Sequence, residues 1–400
     1  MEKEGLRRTI RDGQERLASA RYVERDLRID HAFLEASGKV AAICGPRRAG
    51  KTFRLFQVLA ELGIRSDQVC FLDFSDLSLA GFKAEDFETL GQAAAELEPR
   101  ADAVFLFDEI QEVEGFEAGI RHLQNKGRRI YLTGSNASVF SGRLATSLRG
   151  KVLVYEQYPL SFAEFLRFKG RAFRRDPSSE ERAERRRLLD EYLLWGGFPE
   201  VAMAESRETK RGLLDSYVDV MIFRDVVERH GLQNAAMVRR VFARLLASFT
   251  KEYSINRWFN DFKSQGLRVG KDSLYDIVSY LEDAFVVRSV ANAASPGGSR
   301  KIFLIDNGYY RPFLDRDRDF GKLWENALFV ALLRRGEHPT FWKADRGEID
   351  FVTSSEFVQA TIELGEANRA RETAPFSTAA SALGDRKGLT VTPDAPPDWL

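Results

Sequence analysis

The residues with the clearest chemical potential lie in one glycine-containing loop. The loop has the spacing G-x-x-x-x-G-K-[ST] of a phosphate-binding loop, over Gly45, Pro46, Arg47, Arg48, Ala49, Gly50, Lys51 and Thr52. Glycines let backbone amides approach phosphate oxygens, and the helix that follows points the positive end of its dipole at the anion. Lys51 can reach the β- and γ-phosphates, and Thr52 can bring a hydroxyl to Mg²⁺. We therefore predict that this loop and the next residue, Phe53, bind a nucleotide together with Mg²⁺.

A pair of carboxylates ends a later apolar segment, AVFLFDEIQ. Asp108 can hold Mg²⁺ through water, and Glu109 can polarise the water that attacks the γ-phosphate. Paired carboxylates at a strand end are often ordinary solvated residues, but these follow a phosphate-binding loop. We predict that Thr52 and Asp108 serve the metal, and that Glu109 and Lys51 are catalytic.

A third polar group ends the apolar segment RRIYLTGSN, in Thr133, Ser135 and Asn136. A polar side chain at the end of such a strand can orient water against the γ-phosphate. The same residues are typical of a helix N-cap, and neighbouring residues could serve both roles. We predict that Ser135 and Asn136 belong to the catalytic site.

These three segments lie in a longer pattern of short β-rich runs that alternate with amphipathic stretches. The pattern predicts an α/β fold, a parallel sheet covered by helices on both faces. The runs read KVAAICG, VCFLDF, AVFLFDE, RRIYLTG and KVLVYEQ. The helical stretches between them cover residues 51–62, 84–97, 115–125 and 136–148.

The rest of the chain predicts helices first and a mixed α+β region afterwards. Helices are expected over residues 188–194, 212–229 and 235–250, and GGFP should break the first of them. A short helix over residues 255–263, a helix that opens at Lys271 and the strand AFVVRSV follow the order of a winged helix. After these come a helix over residues 322–335 and four strands, at residues 301–305 and in FWKA, EIDFV and FVQATIEL. A further helix follows near Pro375, and we expect the last residues of the chain to be frayed.

Composition excludes several classes of protein. The 400 residues are 44% hydrophobic, and 60 Lys and Arg balance 60 Asp and Glu. A disordered or collagen-like chain is excluded, and because the net charge is zero, no overall electrostatic field attracts nucleic acid or membrane.

Cys44 and Cys70 lie in apolar runs, which indicates buried thiols, and the four histidines lack zinc-site spacing. Because no apolar run has the length of a membrane span, we expect a cytoplasmic protein.

Taken together, the loop, the strand that ends in Asp-Glu and the TGSN strand resemble the AAA+ superfamily of ATPases. The closer resemblance is to archaeal-type ATPases whose chain continues into a C-terminal domain of unknown function. The segments that carry it are GPRRAGKT, FLFDEIQ, LTGS, YPLSFAEF, GGFPEV, FRDVVERH, KIFLIDNG, WENALF and GEIDFV. They span nearly the whole chain, and PLSFAEF, GGFPEV and the WENA and GEIDF pair are the most particular to this family.

The resemblance implies a five-stranded sheet of order 5-1-4-3-2 in an ATPase domain over residues 1–160. A helical lid and linker (161–234), a winged-helix-like domain (235–298) and a domain similar to PD-(D/E)xK nucleases (299–400) would follow. On this template Asp108 serves magnesium, Glu109 is the catalytic base, and Ser135 or Asn136 is the sensor. An arginine usually completes such a site. The candidates are Arg143, Arg149 and Arg224, with Arg149 as the working choice.

The nuclease-like domain departs from its template. Nucleases of this type use a helix glutamate, a strand aspartate and an acidic-x-Lys tripeptide on the next strand, because two-metal hydrolysis needs clustered carboxylates and a cation. Glu325 and Asp350 fit the first two positions, and Glu348 shares the face of Asp350. The next strand has Gln359 in place of the carboxylate and Thr361 in place of the lysine. We therefore expect a retained fold without nuclease chemistry, which would bind a phosphate backbone or a protein.

Two substitutes, Glu363 and Lys387, would serve this nuclease-like site only if they moved into it. In the winged-helix segment Lys263, Arg268 and Lys271 suit phosphate contacts, but acidic residues beside them oppose a polyanion. DNA binding and a structural or protein-contacting role therefore both stay open there.

The function that we prefer is a Mg²⁺-dependent ATPase that acts as a conformational switch coupled to DNA or a protein partner, alone or as an oligomer. The alternatives are an ATP-regulated DNA or RNA nuclease and a nucleotide-gated binding module with little hydrolysis.

Overall fold

The computed structural model describes residues 1–97, 103–137, 140, 148, 150–173, 177–313, 319–344 and 347–400. The chain forms two compact units, Met1–Gln157 and Tyr158–Leu400. Within the described ranges, no helix has both the length and the apolar composition needed to cross a bilayer.

The first unit is built on a five-stranded sheet. Its strands are β1 (Val40–Cys44), β2 (Val69–Asp73), β3 (Val104–Asp108), β4 (Arg129–Gly134) and β5 (Val152–Glu156). Every neighbouring pair is parallel, and the strand order is β2-β3-β4-β1-β5. Read from the other edge this is 5-1-4-3-2, so the predicted α/β sheet is confirmed. The apolar runs of β1 to β4 form strands that are buried on both faces, whereas the edge strand β5 is only partly buried.

The helices of this unit are α1 (Lys3–Ser19), α2 (His31–Ser37), α3 (Lys51–Leu62), α4 (Asp86–Leu97) and α5 (Phe116–Asn125). Helix α3 has the predicted bounds, and α4 and α5 begin close to where they were predicted. The stretch 136–148 lies mostly outside the described residues. Helix α1, which the sequence analysis did not predict, packs on β2 and α4. Gly13 permits this approach, because a Cβ there would stand 2.5 Å from the carbonyl oxygen of Phe71.

The second unit begins with helices. These are α6 (Phe162–Phe168), α7 (Ser179–Trp195), α8 (Pro199–Met203), α9 (Arg207–Val220), α10 (Ala235–Ser248), α11 (Ile255–Ser264) and α12 (Lys271–Asp283). Helix α7 ends before Gly196, as predicted from GGFP. Helix α9 continues into a π-helical segment, Met221–Glu228, which covers the end of the helix predicted over residues 212–229.

A seven-stranded sheet completes the second unit. Its strands are β6 (Glu252–Tyr253), β7 (Val287–Asn292), β8 (Ser295–Leu304), β9 (Thr340–Ala344), β10 (Gly347–Val352), β11 (Glu356–Ala360) and β12 (Lys387–Val391), in the order β12-β11-β10-β9-β7-β8-β6. Helices α13 (Phe320–Arg334) and α14 (Glu366–Leu383) pack against it.

The expectation of a frayed end is wrong. Strand β12 pairs in parallel with β11, and Leu400 is buried. The carbonyl oxygen of Leu400 accepts a hydrogen bond of 2.8 Å from the backbone N–H of Phe162. The terminal residues are held because their apolar side chains join the core of this unit. Both cysteines are buried and free, which confirms the prediction of buried thiols.

Candidate functional site

The loop between β1 and α3 depends on its glycines. Gly45 has a φ of +155°, and a Cβ there would lie 2.1 Å from the carbonyl oxygen of Gln157. Gly50 has a φ of +87°, in the left-handed region, directly before the first residue of α3. Side chains at these positions would strain the turn or collide with neighbouring backbone. The loop therefore presents its backbone at the positive end of α3.

Lys51 is the first residue of α3, and its side chain is buried against this loop. Its Nζ donates hydrogen bonds to the carbonyl oxygens of Gly45 (3.1 Å) and Pro46 (3.0 Å). The same Nζ lies 3.8 Å from a carboxylate oxygen of Glu109. The ammonium thus links the loop to the carboxylate that the sequence predicts as the catalytic base.

Asp108 ends β3 and is buried, with hydroxyl groups on both sides. Thr52 donates a hydrogen bond of 2.5 Å from Oγ1 to Oδ2 of Asp108, and the hydroxyl of Thr133 donates to Oδ1. Burial, followed by the charge of Glu109, raises the pKa of Asp108 to about 6 in spite of these bonds. The structure therefore brings together the hydroxyl and the carboxylate predicted to serve Mg²⁺.

Glu109 follows β3 in an unusual backbone conformation, with a φ of +50°. Its backbone N–H donates a hydrogen bond of 3.0 Å to Oγ1 of Thr133, and its carboxylate accepts one from the side-chain amide of Gln111. Burial alone would raise the pKa of Glu109, but the charges of Lys51 and Arg47 outweigh it and hold the pKa below its usual value. The carboxylate is ionised at neutral pH and can accept a proton.

Thr133 and Gln111 position the carboxylates, and the sequence analysis assigned neither role. Strands β3 and β4 are aligned with Phe107 opposite Leu132, so Asp108 and Thr133 follow at neighbouring positions. That register is the signal that could have identified Thr133. No local signal identifies Gln111, because its contacts depend on the turn after β3.

The predicted sensor residues lie beside this group. Ser135 and Asn136 are both buried after the end of β4. The amide of Gln111, which binds Glu109, lies 3.4 Å from the hydroxyl oxygen of Ser135. A Cβ on Gly134 would stand 2.6 Å from Oε1 of Gln111, so the glycine leaves room for this amide. Ser135 is thereby connected to the predicted base through one side chain.

Three other predicted residues lie in the loop or directly after it. Nη2 of Arg47 is 3.9 Å from Glu112, and Arg48 has a φ of +65°. Phe53 is 48% exposed, with its ring edge-on to Phe56.

Of the predicted arginines, Arg143 and Arg149 lie outside the described residues. Arg224 lies in the π-helical segment of the second unit, with Nε 3.9 Å from Glu228.

A buried arginine that the sequence analysis missed supports the loop. Nη1 of Arg25 donates a hydrogen bond of 2.6 Å to the carbonyl oxygen of Ala49. The backbone of Arg25 exchanges hydrogen bonds with the side-chain amide of Gln57 on α3, at 2.9 and 3.0 Å. The segment around Arg25 has no apolar periodicity, so the sequence offered no sign of this contact.

The nuclease-like positions form a second cluster, in the second unit. Glu325 on α13 and Glu348 and Asp350 on β10 meet around Nζ of Lys301 on β8. Gln359 lies on β11, while Thr361 lies past its end and donates a hydrogen bond to the carbonyl oxygen of Glu363. The two substitutes considered above, Glu363 and Lys387, are exposed. Lys301 was not among the residues predicted for this cluster.

The segments GGFPEV and KIFLIDNG also meet in the second unit. The two carboxylate oxygens of Asp306 accept hydrogen bonds of 2.7 Å from the backbone N–H groups of Gly197 and Gly308. Arg334 donates to the carbonyl oxygens of Pro159 and Leu160 in the YPLSFAEF segment. These segments therefore help to hold the second unit together, because the contacts satisfy buried polar groups of the backbone.

We expect Gly196→Ala to destabilise the second unit by about 3 kcal/mol or more. A Cβ at this position would lie 1.8 Å from Oδ1 of Asp306, and the backbone has a φ of +77°. All five tryptophans belong to the second unit, so tryptophan fluorescence during urea unfolding reports on it alone.

Gly384→Ala is the matched control for this measurement. Gly384 has a φ of +85° and a ψ of 161°, close to the +77° and −170° of Gly196, but nothing lies within 4 Å of its added Cβ. It should lose only the backbone penalty of about 1–3 kcal/mol. Equal losses in the two variants would contradict the packing argument.

Comparison with known proteins identifies two regions. Residues 37–166 match the family model of an AAA domain, and residues 186–319 match a domain of unknown function. An uncharacterized protein of Methanocaldococcus jannaschii is 30% identical over 384 residues, which are 94% of this chain and 85% of that protein. An uncharacterized protein of Haemophilus influenzae is 30% identical over 342 residues, 82% of this chain and 83% of that protein.

Two solved structures match this chain with lower sequence identity. The Cdc6p structure from Pyrobaculum aerophilum has 11% identity and a TM-score of 0.29, and the match covers 72% of this chain and 93% of that one. The Aeropyrum pernix Orc1 protein in complex with DNA has 15% identity and a TM-score of 0.26, and the match covers 80% of this chain and 97% of that one.

Proposed function

Because this chain belongs to the family of the M. jannaschii relative and carries an AAA domain, we propose that it binds ATP with Mg²⁺ and hydrolyses it. One observation carries the proposal. Two distant segments of the chain form one connected group where α3 begins and β3 ends, made of Lys51, Thr52, Asp108 and Glu109. Each of them has the functional group that phosphoanhydride hydrolysis requires at its position.

Binding exchanges the partners of Lys51. The triphosphate enters at the loop, where backbone amides and the positive end of α3 attract its charge. The ammonium of Lys51 then leaves the carbonyl oxygens of Gly45 and Pro46 and binds phosphate oxygens, which gives charge-assisted hydrogen bonds in place of neutral acceptors.

The residues present fit Mg²⁺. Thr52 and Asp108 would hold it, because hydroxyl and carboxylate oxygens are the hard ligands that this ion prefers, and the two side chains are already in contact. When bound, the ion neutralises charge on the β- and γ-phosphates. Thr133 keeps Asp108 oriented through its own hydroxyl.

Glu109 acts as the base. Once Lys51 turns to the phosphates, the carboxylate loses one of the two cations that hold its pKa down and becomes a stronger proton acceptor. It takes one proton from the attacking water, the water oxygen bonds to the γ-phosphorus, and the bond to the β-phosphate oxygen breaks. Gln111 and the contact between the Glu109 N–H and Thr133 hold the carboxylate in place meanwhile.

We further propose that the second unit couples this reaction to DNA or a protein partner. Lys263, Arg268 and Lys271 lie at the end of α11, in the following turn and at the start of α12, and supply positive charge around that turn. Acidic residues of α12 limit the affinity for a polyanion, so a protein partner is the alternative.

Phosphate release by the purified chain tests the proposal. We expect turnover that requires Mg²⁺, and stimulation by double-stranded DNA would assign the partner. Tight ATP binding without phosphate release would replace the ATPase with a nucleotide-gated binding module. Absence of any nucleotide binding would contradict the proposal altogether.

A further inference from the structure

The carboxylate cluster of the second unit is organised around one buried ammonium. Nζ of Lys301 lies 2.7 Å from an oxygen of Glu348, 3.2 Å from one of Glu325 and 3.9 Å from one of Asp350. The side chain of Lys301 is only 4% exposed. Three carboxylates from α13 and β10 therefore face a single cation supplied by β8.

Charge attraction holds the ammonium and the carboxylates of this cluster together. Burial opposes the charge on Lys301, but Glu325, Asp350 and Glu348 outweigh it and raise the pKa of Lys301, which stays protonated. Burial, followed by the charge of Asp350, raises the pKa of Glu325, and the ammonium of Lys301 opposes that rise. The ammonium of Lys301 therefore offsets much of the negative charge of the three carboxylates.

One of the three carboxylates also accepts a hydrogen bond from the backbone. Oδ2 of Asp350 accepts a hydrogen bond of 2.8 Å from the backbone N–H of Ala360 on β11. Strand β11 contributes Gln359, whose neutral amide adds no anionic oxygen to the group. A divalent ion binds where several anionic oxygens converge on one point. Here the ammonium of Lys301 already lies at the point on which they converge.

We propose that the ammonium of Lys301 takes the place of a divalent cation in this nuclease-like cluster. The carboxylates of the cluster are then held together without a metal ion. The consequence is a domain that does not cut nucleic acid by metal-dependent hydrolysis. This inference is independent of ATP hydrolysis in the first unit. It also makes a prediction about one residue: loss of the ammonium converts the cluster into a divalent metal site.

A titration with MnCl₂, in the absence of nucleotide, tests this inference. Free Mn²⁺ is measured by electron paramagnetic resonance for the wild type, Asp350→Asn, Lys301→Ala and the double variant Lys301→Ala/Asp350→Asn. We expect the wild type and Asp350→Asn to bind the same amount of Mn²⁺. Lys301→Ala should bind one further equivalent, and the double variant should lose it. Any Mn²⁺ bound near Asp108 contributes equally to all four.

Lys387→Ala is the control, because it removes an exposed lysine on β12 and should bind Mn²⁺ like the wild type. Unfolding followed by tryptophan fluorescence adds a second measurement: Mn²⁺ should stabilise Lys301→Ala but not the wild type. If Lys301→Ala does not fold, the comparison of Mn²⁺ binding by the wild type and by Asp350→Asn still tests the proposal. Mn²⁺ binding by the wild type that Asp350→Asn abolishes would overturn the proposal, and so would a folded Lys301→Ala without the additional equivalent.

Discussion

Glu109→Gln will bind ATP with Mg²⁺ close to wild-type affinity but release phosphate at least about 100-fold more slowly, the usual contribution of a positioned general base. Glutamine keeps an oxygen that can accept the hydrogen bond from Gln111, and the contact of the backbone N–H with Thr133 is unchanged. The variant loses the ability to take a proton from water and the negative charge 3.8 Å from Nζ of Lys51, and the Glu112 control tests for the effect of charge. Equilibrium binding of ATP and the rate of phosphate release, measured on the same samples, separate the two effects.

Glu112→Gln is the matched control for this variant. Glu112 belongs to the same turn after β3, but its carboxylate is more exposed and lies 3.9 Å from Arg47. It should release phosphate within a few-fold of the wild-type rate. Equal slowing in both variants would indicate a general electrostatic effect, and a normal rate for Glu109→Gln would remove Glu109 from the mechanism.

Lys51→Met is the variant with the largest expected effect on binding. We expect ATP affinity to fall about 100-fold, because hydrogen bonds from a charged donor to phosphate each contribute about 1.5–3 kcal/mol. Methionine keeps most of the buried stem and removes the ammonium that contacts Gly45, Pro46 and Glu109. Calorimetric titration with ATP and Mg²⁺ measures the loss.

Lys126→Met controls for the loss of one positive charge. Lys126 lies in the same unit, after α5, and is exposed. Its affinity for ATP should match the wild type, because an exposed charge is screened by solvent and salt. Unchanged affinity in Lys51→Met would mean that nucleotide binds somewhere other than the loop.

The sheet and the loop could be predicted because their signals are local. The β-rich runs alternate with amphipathic stretches, and Gly50 and Lys51 mark the start of α3 in the sequence itself. Helix α1 was missed because its apolar stripe, Leu6, Ile10 and Leu17, is narrow and surrounded by charges. Such a helix forms only because β2 and α4 offer it a surface.

The site in the first unit and the carboxylate cluster in the second unit differ in how much of them the sequence could predict. Asp108 and Glu109 end an apolar run, so their position was readable, whereas the support from Thr133 depends on strand register. Glu325 and Asp350 were expected to lie together only because of the resemblance to nucleases. Lys301 was not expected beside them, because the template places its lysine on the strand after Asp350, whereas Lys301 lies on β8, before α13.

Hydrogen exchange of the loop amides is the most direct measurement of the central claim. If the backbone between Cys44 and Thr52 surrounds the phosphates, a slowly hydrolysed ATP analogue with Mg²⁺ should slow the exchange of peptides from this segment in the wild type. In Lys51→Met, at the same ligand concentration, the slowing should be much smaller. Nucleotide binding that leaves exchange in this segment unchanged, while other parts of the chain become protected, would contradict the account.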